Sequence, residues 1–197
     1  MGQYYHVVLQ KENFEMEFYD LQTKSFTGDN FDCYTGLKLM EHSWWGCRFM
    51  SVIGKKLSEG PCRLAWIGDY AKDDECEKFG FKHSDVWGDI DKIKFEKPDE
   101  PKDFSLDDYK YLLNRTKGVA LDLKSYKEKS ESDGWVINPI SLLTAIGNGR
   151  GGGDYHDCYP NFDKVGSWAF DELQLVKELP VGGWKIDQEL YFKEERK

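Results

Sequence analysis

Nowhere in this 197-residue chain is there an apolar run long enough to cross a bilayer. The longest, from Val136 to Ile146, is broken by Asn138, Pro139, Ser141 and Thr144, whereas a spanning helix needs roughly 20 apolar residues. A membrane span is therefore not expected. The opening MGQYYHVVLQ also lacks a basic stretch ahead of an apolar block, and it has no small-residue cleavage site. His6 stands where a myristoylation signal wants Ser or Thr. The expected location is the cytoplasm. Cysteines are sparse: Cys33, Cys47, Cys62, Cys76 and Cys158 are odd in number, and none forms a C-x-x-C pair. That spacing argues against a disulfide framework and a zinc knuckle, and leaves reduced thiols packed in a core. Positive charge is short as well. Asp plus Glu outnumber Lys plus Arg by 36 to 27, for a net charge of −9. General nucleic-acid binding needs a basic surface, so it is disfavoured. The acidity suits solubility, or a negative face offered to a basic partner.

What is present is a hydrophobic fraction of 40%, with 15% aromatics, enough to bury a sizeable core in one domain over 1–197. Residues 4–10 and 14–20 are β-branched or aromatic runs joined by Lys11-Glu12-Asn13. Phe14, Met16 and Phe18 alternate with polar neighbours, so this reads as a hairpin with one buried face. From 34 to 57 the apolar spacing becomes three and four, predicting a helix, a break near Trp45-Gly46, and a second helix stopped by Gly60-Pro61. A strand over 62–67 ends at Gly68-Asp69-Tyr70, and a short charged helix is expected over 72–78. Two prolines among charges make 96–103 a solvated connector. Residues 109–116 and 119–123 predict a second hairpin across Lys117-Gly118, followed by a polar segment over 124–133. Further strands are expected over 135–146, 165–169, 172–177 and 184–192. Hairpin connections outnumber βαβ crossovers. The expected class is α+β, a mainly antiparallel sheet built from hairpins with two or three helices packed on it.

Three clusters carry chemistry. The first is IGNGRGGGDYH, where five of the 19 glycines fall within seven positions. Gly147, Gly149 and Gly152 match G-x-G-x-x-G, but Asp154 to Pro160 offers turn formers where the dinucleotide fold needs a helix. Walker and kinase signatures are missing, and no cofactor is implied. Glycine so dense is costly unless backbone must turn with positive φ or approach something closely. One reading is an anion cradle of amide groups around Asn148, helped by the guanidinium fork of Arg150 and flanked by Asp154, Tyr155 and His156. The other is a connection packed on its neighbours. The second cluster is Leu39-Met40-Glu41-His42-Ser43-Trp44-Trp45. Glu41 and His42 suit acid-base or hydrogen-bonding roles, while Trp44 suits stacking or core packing; the spacing matches no metal motif. The third is Trp66-Ile67-Gly68-Asp69-Tyr70, with a carboxylate just past a strand end.

The blocks Gly2-Gln3-Tyr4-Tyr5, Leu39 to Trp44, Trp66 to Ala71, Leu142 to Tyr155 and Val165 to Ala169 together resemble a family of uncharacterised proteins of bacteria and their mobile elements. The resemblance spans most of the chain. It implies a bacterial or phage setting and transfers no catalytic residue. On the residues themselves, the expected activity is binding of a small anionic ligand, nucleotide-like if tryptophan stacks on it, by the glycine loop with Arg150, Asp154, His42 and Asp69. A protein-binding module of the inhibitor or immunity type, and a hydrolase using Asp and His groups, are the alternatives.

Overall fold

Along Tyr5–Gln10 (β1) successive side chains enter two different cores. Tyr5, Val7 and Leu9 join the larger cluster, and Val8 the smaller one on the opposite face. The computed structural model describes residues 3–10, 16–19, 38–88, 95–96 and 101–193. Cys62–Gly68 (β3) repeats the division, with Leu64 and Trp66 on one side and Ala65 and Ile67 on the other. It pairs antiparallel with β1, Tyr5 opposite Gly68 and Leu9 opposite Leu64. A strand covered on both faces reads as a near-continuous apolar run because the period-two pleat gives each side its own partners.

The fold is α+β. A single sheet, mostly antiparallel, contains Met16–Tyr19 (β2), Phe95–Glu96 (β4), Tyr111–Asn114 (β5), Val119–Asp122 (β6), Ala145–Ile146 (β7), Glu172–Val176 (β8) and Lys185–Asp187 (β9). Its order is β4-β2-β1-β3-β8-β5-β6-β9. The far edge of β3 is shared: Cys62 and Arg63 pair with β8, whereas Trp66 and Ile67 pair with β7. Arg48–Glu59 (α1) lays Phe49, Met50, Val52, Ile53 and Leu57 on the larger core. Asp73–Glu77 (α2) and Ser84–Trp87 (α3) supply Cys76 and Val86 to the smaller one. Among the described residues no helix is long and apolar enough to cross a membrane.

Several expected elements take another form. The described part of the first predicted helix, from Lys38 to Gly46, is a chain of turns ending in an isolated bridge between Trp44 and Ile137. Here the Trp45 amide donates to the Val136 carbonyl at 2.8 Å and the Asn138 amide to the Ser43 carbonyl at 2.9 Å. Cross-chain pairing thus takes the groups a helix would use. The polar segment after β6 is instead the helix Leu123–Ser130 (α4), started by Asp122, whose carboxylate accepts from the Ser125 amide. The strand expected over 135–146 contains Pro139–Leu143 (α5), with Asn138 as N-cap and Pro139 in the first turn. Residues 165–169 form turns, and only Lys185–Asp187 of 184–192 is strand. Part of the connector at 96–103, and the turn expected at Lys11-Glu12-Asn13, lie outside the described residues.

His6 points to the smaller core and lies against Trp87, with ring centroids 4.0 Å apart. Burial pushes its imidazole down to about 4 from an ordinary 6.5. Between those values the unfolded chain binds a proton that the folded chain does not, so stability is full above pH 6.5 and drains as the pH falls towards 4. In urea unfolding at pH 7 and pH 4.5, the wild type is expected to lose about 2 to 3 kcal/mol more than His6→Leu. Equal losses in the two proteins would remove His6 from the account.

Candidate functional site

The glycine loop does hold an anion, and that anion belongs to the chain. The amides of Gly149, Arg150 and Gly151 donate to Oδ2 of Asp154 at 2.8, 2.9 and 3.0 Å. The Tyr5 hydroxyl donates to Oδ1 at 2.8 Å. Asp154 is only 2% exposed. Burial, then the Asp154 charge, pushes the Tyr5 phenol well above its usual range, so it remains a donor. Below this node the Asn148 side chain clasps the backbone of Tyr155, accepting from its amide at 2.9 Å and donating to its carbonyl at 2.8 Å.

The glycines have a steric reason. The Gln3 amide donates to the Gly152 carbonyl, and its side chain donates to the Gly147 carbonyl, both at 2.9 Å. The chain leading into β1 therefore lies flat on the loop. A Cβ at Gly151 would sit 2.6 Å from the Gln3 Cβ, and one at Gly147 would sit 2.9 Å from the Ala71 backbone with φ at +87. Close approach and positive φ, the two conditions that favour glycine, are both met.

Arg150 turns to the other side. Its guanidinium forks onto Glu75 at 2.6 and 2.7 Å and donates to the Tyr70 carbonyl at 2.7 Å. Burial works against the Glu75 carboxylate, yet the hydrogen bonds from Arg150 and the Lys72 amide outweigh it and lower its pKa. This strap ties α2 to the loop and borders a hollow of about 370 Å³ that also includes Asn148 and Lys78. Asp69 and His42 are engaged with backbone. Asp69 accepts from the Tyr4 amide at 3.2 Å, and burial nevertheless raises its pKa. His42 Nδ1 accepts from the Lys38 amide at 3.0 Å, while burial holds its pKa down against the pull of Glu41.

A different hollow, of about 420 Å³, gathers residues from three parts of the chain. The turn segment contributes Met40, Glu41 and Trp44, while the loop's end contributes Gly153, Asp154 and then His156 and Tyr159. Its remaining wall comes from Ser130 to Ile137 and carries Trp135. Trp135 sits at the end of a tight hairpin in which Ser132 and Trp135 exchange both amide bonds at 2.8 Å. Asp133 and Gly134 between them have φ of 50 and 81, the type I′ geometry that Asp-Gly favours. The indoles of Trp44 and Trp135 meet edge to face at 5.5 Å and 77°. They are 36% and 47% exposed, unlike Trp45, which stacks on Tyr126 and donates to Asp107. The opposite wall is anchored by the fully buried Tyr155, whose hydroxyl donates to the Pro160 carbonyl and accepts from the Lys193 amide.

Of the residues expected to form one site, Glu41, Trp44, Asp154 and His156 converge on this cleft. Asn148 and Arg150 border the other hollow, and Tyr155 is scaffold beneath the loop. His42, Asp69 and Tyr70 do not line the cleft. Trp135 and Tyr159 were not anticipated; the Asp133-Gly134 turn signal directly before a tryptophan was the available clue for the first. Compared with family models, curated proteins and solved structures, the chain gives no match.

Removing the acceptor at the node takes the partner from three loop amides and from the buried Tyr5 hydroxyl. Asp154→Ala is expected to lower unfolding free energy by about 3 kcal/mol or more. Arg150→Ala, which breaks a partly exposed pair, is expected to cost about 1 kcal/mol or less. Urea titration of both variants measures the difference; comparable losses would contradict the central place given to Asp154.

Proposed function

We propose that this chain is a small-molecule-binding protein whose site is the cleft between the Trp44–Trp135 pair and the His156–Tyr159 wall. One observation carries the reading: two large indoles stand exposed at right angles beside a hollow of about 420 Å³, one of them fixed by a tight turn. Exposed indole is costly in water and rewarding against a flat or apolar ligand. The volume lies within the roughly 300 to 1,000 Å³ common for ligand pockets. The amides and guanidinium expected to hold a free anion are engaged by Asp154 and Glu75. The proposed ligand is therefore an organic molecule without strong negative charge, placed beside the loop and not inside it.

A second reading has its own support. Net charge of −9 and the same exposed indole pair suit a basic protein partner that buries an aromatic anchor. Binding to such a partner would weaken with added salt. A hydrolase built on His42 and Asp69 has less behind it, because both side chains serve backbone amides outside the cleft.

Calorimetric titration against ring-bearing metabolites and nucleosides, with nucleotides as the anionic comparison, tests the first reading. Binding is expected to weaken at least about tenfold in Trp135→Ala and Trp44→Ala, the loss of a buried aromatic contact. Arg150→Ala should bind as the wild type does. The reverse pattern, with Arg150 required and the tryptophans dispensable, would return the site to the glycine loop.

A further inference from the structure

We infer that the ligand of this cleft is an organic cation of the methylated ammonium class; the inference rests on the cleft being a small-molecule site and names what selects its ligand. Three features converge. Trp44 and Trp135 lie near a right angle, with centroids 5.5 Å apart, and Tyr159 lines the same hollow. Aromatic faces set at an angle offer a cation several negative quadrupole surfaces at once. The charged side chains of the lining point the same way. Among the described residues it includes Glu41 and Asp154 and no lysine or arginine, although the ammonium of Lys38 is paired with Glu41. A chain with a net charge of −9 adds a long-range field of the same sign.

The state of those carboxylates narrows the choice of cation. Asp154 already accepts from three amides and a phenol. Glu41 accepts from Lys38 Nζ at 2.8 and 2.9 Å. A primary ammonium entering the cleft must replace its own water with acceptors, and the two carboxylates there are already engaged. A quaternary or heavily methylated nitrogen has few or no N–H groups to satisfy and spreads its charge over methyl surface. It loses less on leaving water, and its methyl groups gain contact with indole and with the Met40 side chain at the cleft wall. Selection thus comes from aromatic faces and nearby negative charge, with no new hydrogen bond to the ammonium.

The test uses the full chain in calorimetry with tetramethylammonium and choline, beside the uncharged isostere of choline in which a tert-butyl group replaces trimethylammonium. The cations are expected to bind, with the isostere at least about tenfold weaker, the advantage a desolvated cation gains over aromatic faces. Trp135→Phe should retain part of the affinity and Trp135→Ala lose it, while Glu41→Gln, at an exposed position, should weaken choline several-fold and leave the isostere unchanged. Circular dichroism establishes that each variant is folded. Equal affinity for choline and its isostere would overturn the charge selection and leave the cleft as a binding site for uncharged ligands. No binding of either cation by the wild type would also overturn it, and the separate panel of ring compounds would still decide whether the cleft binds small molecules.

Discussion

A carboxylate with 2% exposure dominates the organisation of this molecule. Burying an ionised group costs several kcal/mol unless donors surround it. Asp154 meets that requirement with three successive amides and one phenol. The requirement acts in both directions: the loop must curl so that Gly149, Arg150 and Gly151 face one oxygen, and Tyr5 must lie on the sheet where its hydroxyl reaches the other. Backbone amides in a concave run are a common way to hold an anion. Here the anion is covalently attached, and the cradle acts as a joint between the first strand and a distant loop.

That joint also positions the cleft. Past Asp154 the chain is pinned by the Asn148–Tyr155 clasp and by the Tyr155 hydroxyl, which holds the segment bearing His156 and Tyr159. Before it, Gly153 accepts from the Met40 amide at 3.2 Å, docking the turn segment that presents Glu41 and Trp44. The glycine loop is therefore structural both in what it grips and in what it places. A loop and an aromatic segment far apart in sequence become two walls of one hollow because both are fastened to the same few backbone groups.

Much of the sheet was legible in the sequence because its signal is local. The apolar runs of β1 and β3, the Lys117-Gly118 hairpin and the Gly60-Pro61 stop each follow from the pleat, from turn chemistry or from chain stiffness. The segment from Lys38 to Gly46 was not legible. Its three-and-four spacing is that of a helix, and only pairing with residues 136–138, nearly a hundred positions away, turns it into something else. Asn138-Pro139 was a readable helix start overshadowed by the apolar run around it. The same division holds for the site. Glu41, Trp44, Asp154 and His156 stand out by residue type, whereas the capture of Asp154 by its own loop and the diversion of Arg150 to Glu75 depend on tertiary geometry that composition does not encode.

Tyr5 and Asp154 are separated by 149 positions, and that distance has a kinetic meaning. A chain made from its N-terminus onward exposes the Gln3 to Tyr5 segment long before its receiving loop exists. Pairing with β3 can register the strand early, but the end that carries Gln3 has no seat until the glycines have been added and have curled. Contacts of such long separation close late, because the entropy of closing the intervening chain must be overcome first. Docking of the first strand's leading end therefore closes one of the longest loops in the chain and carries a correspondingly large entropic cost.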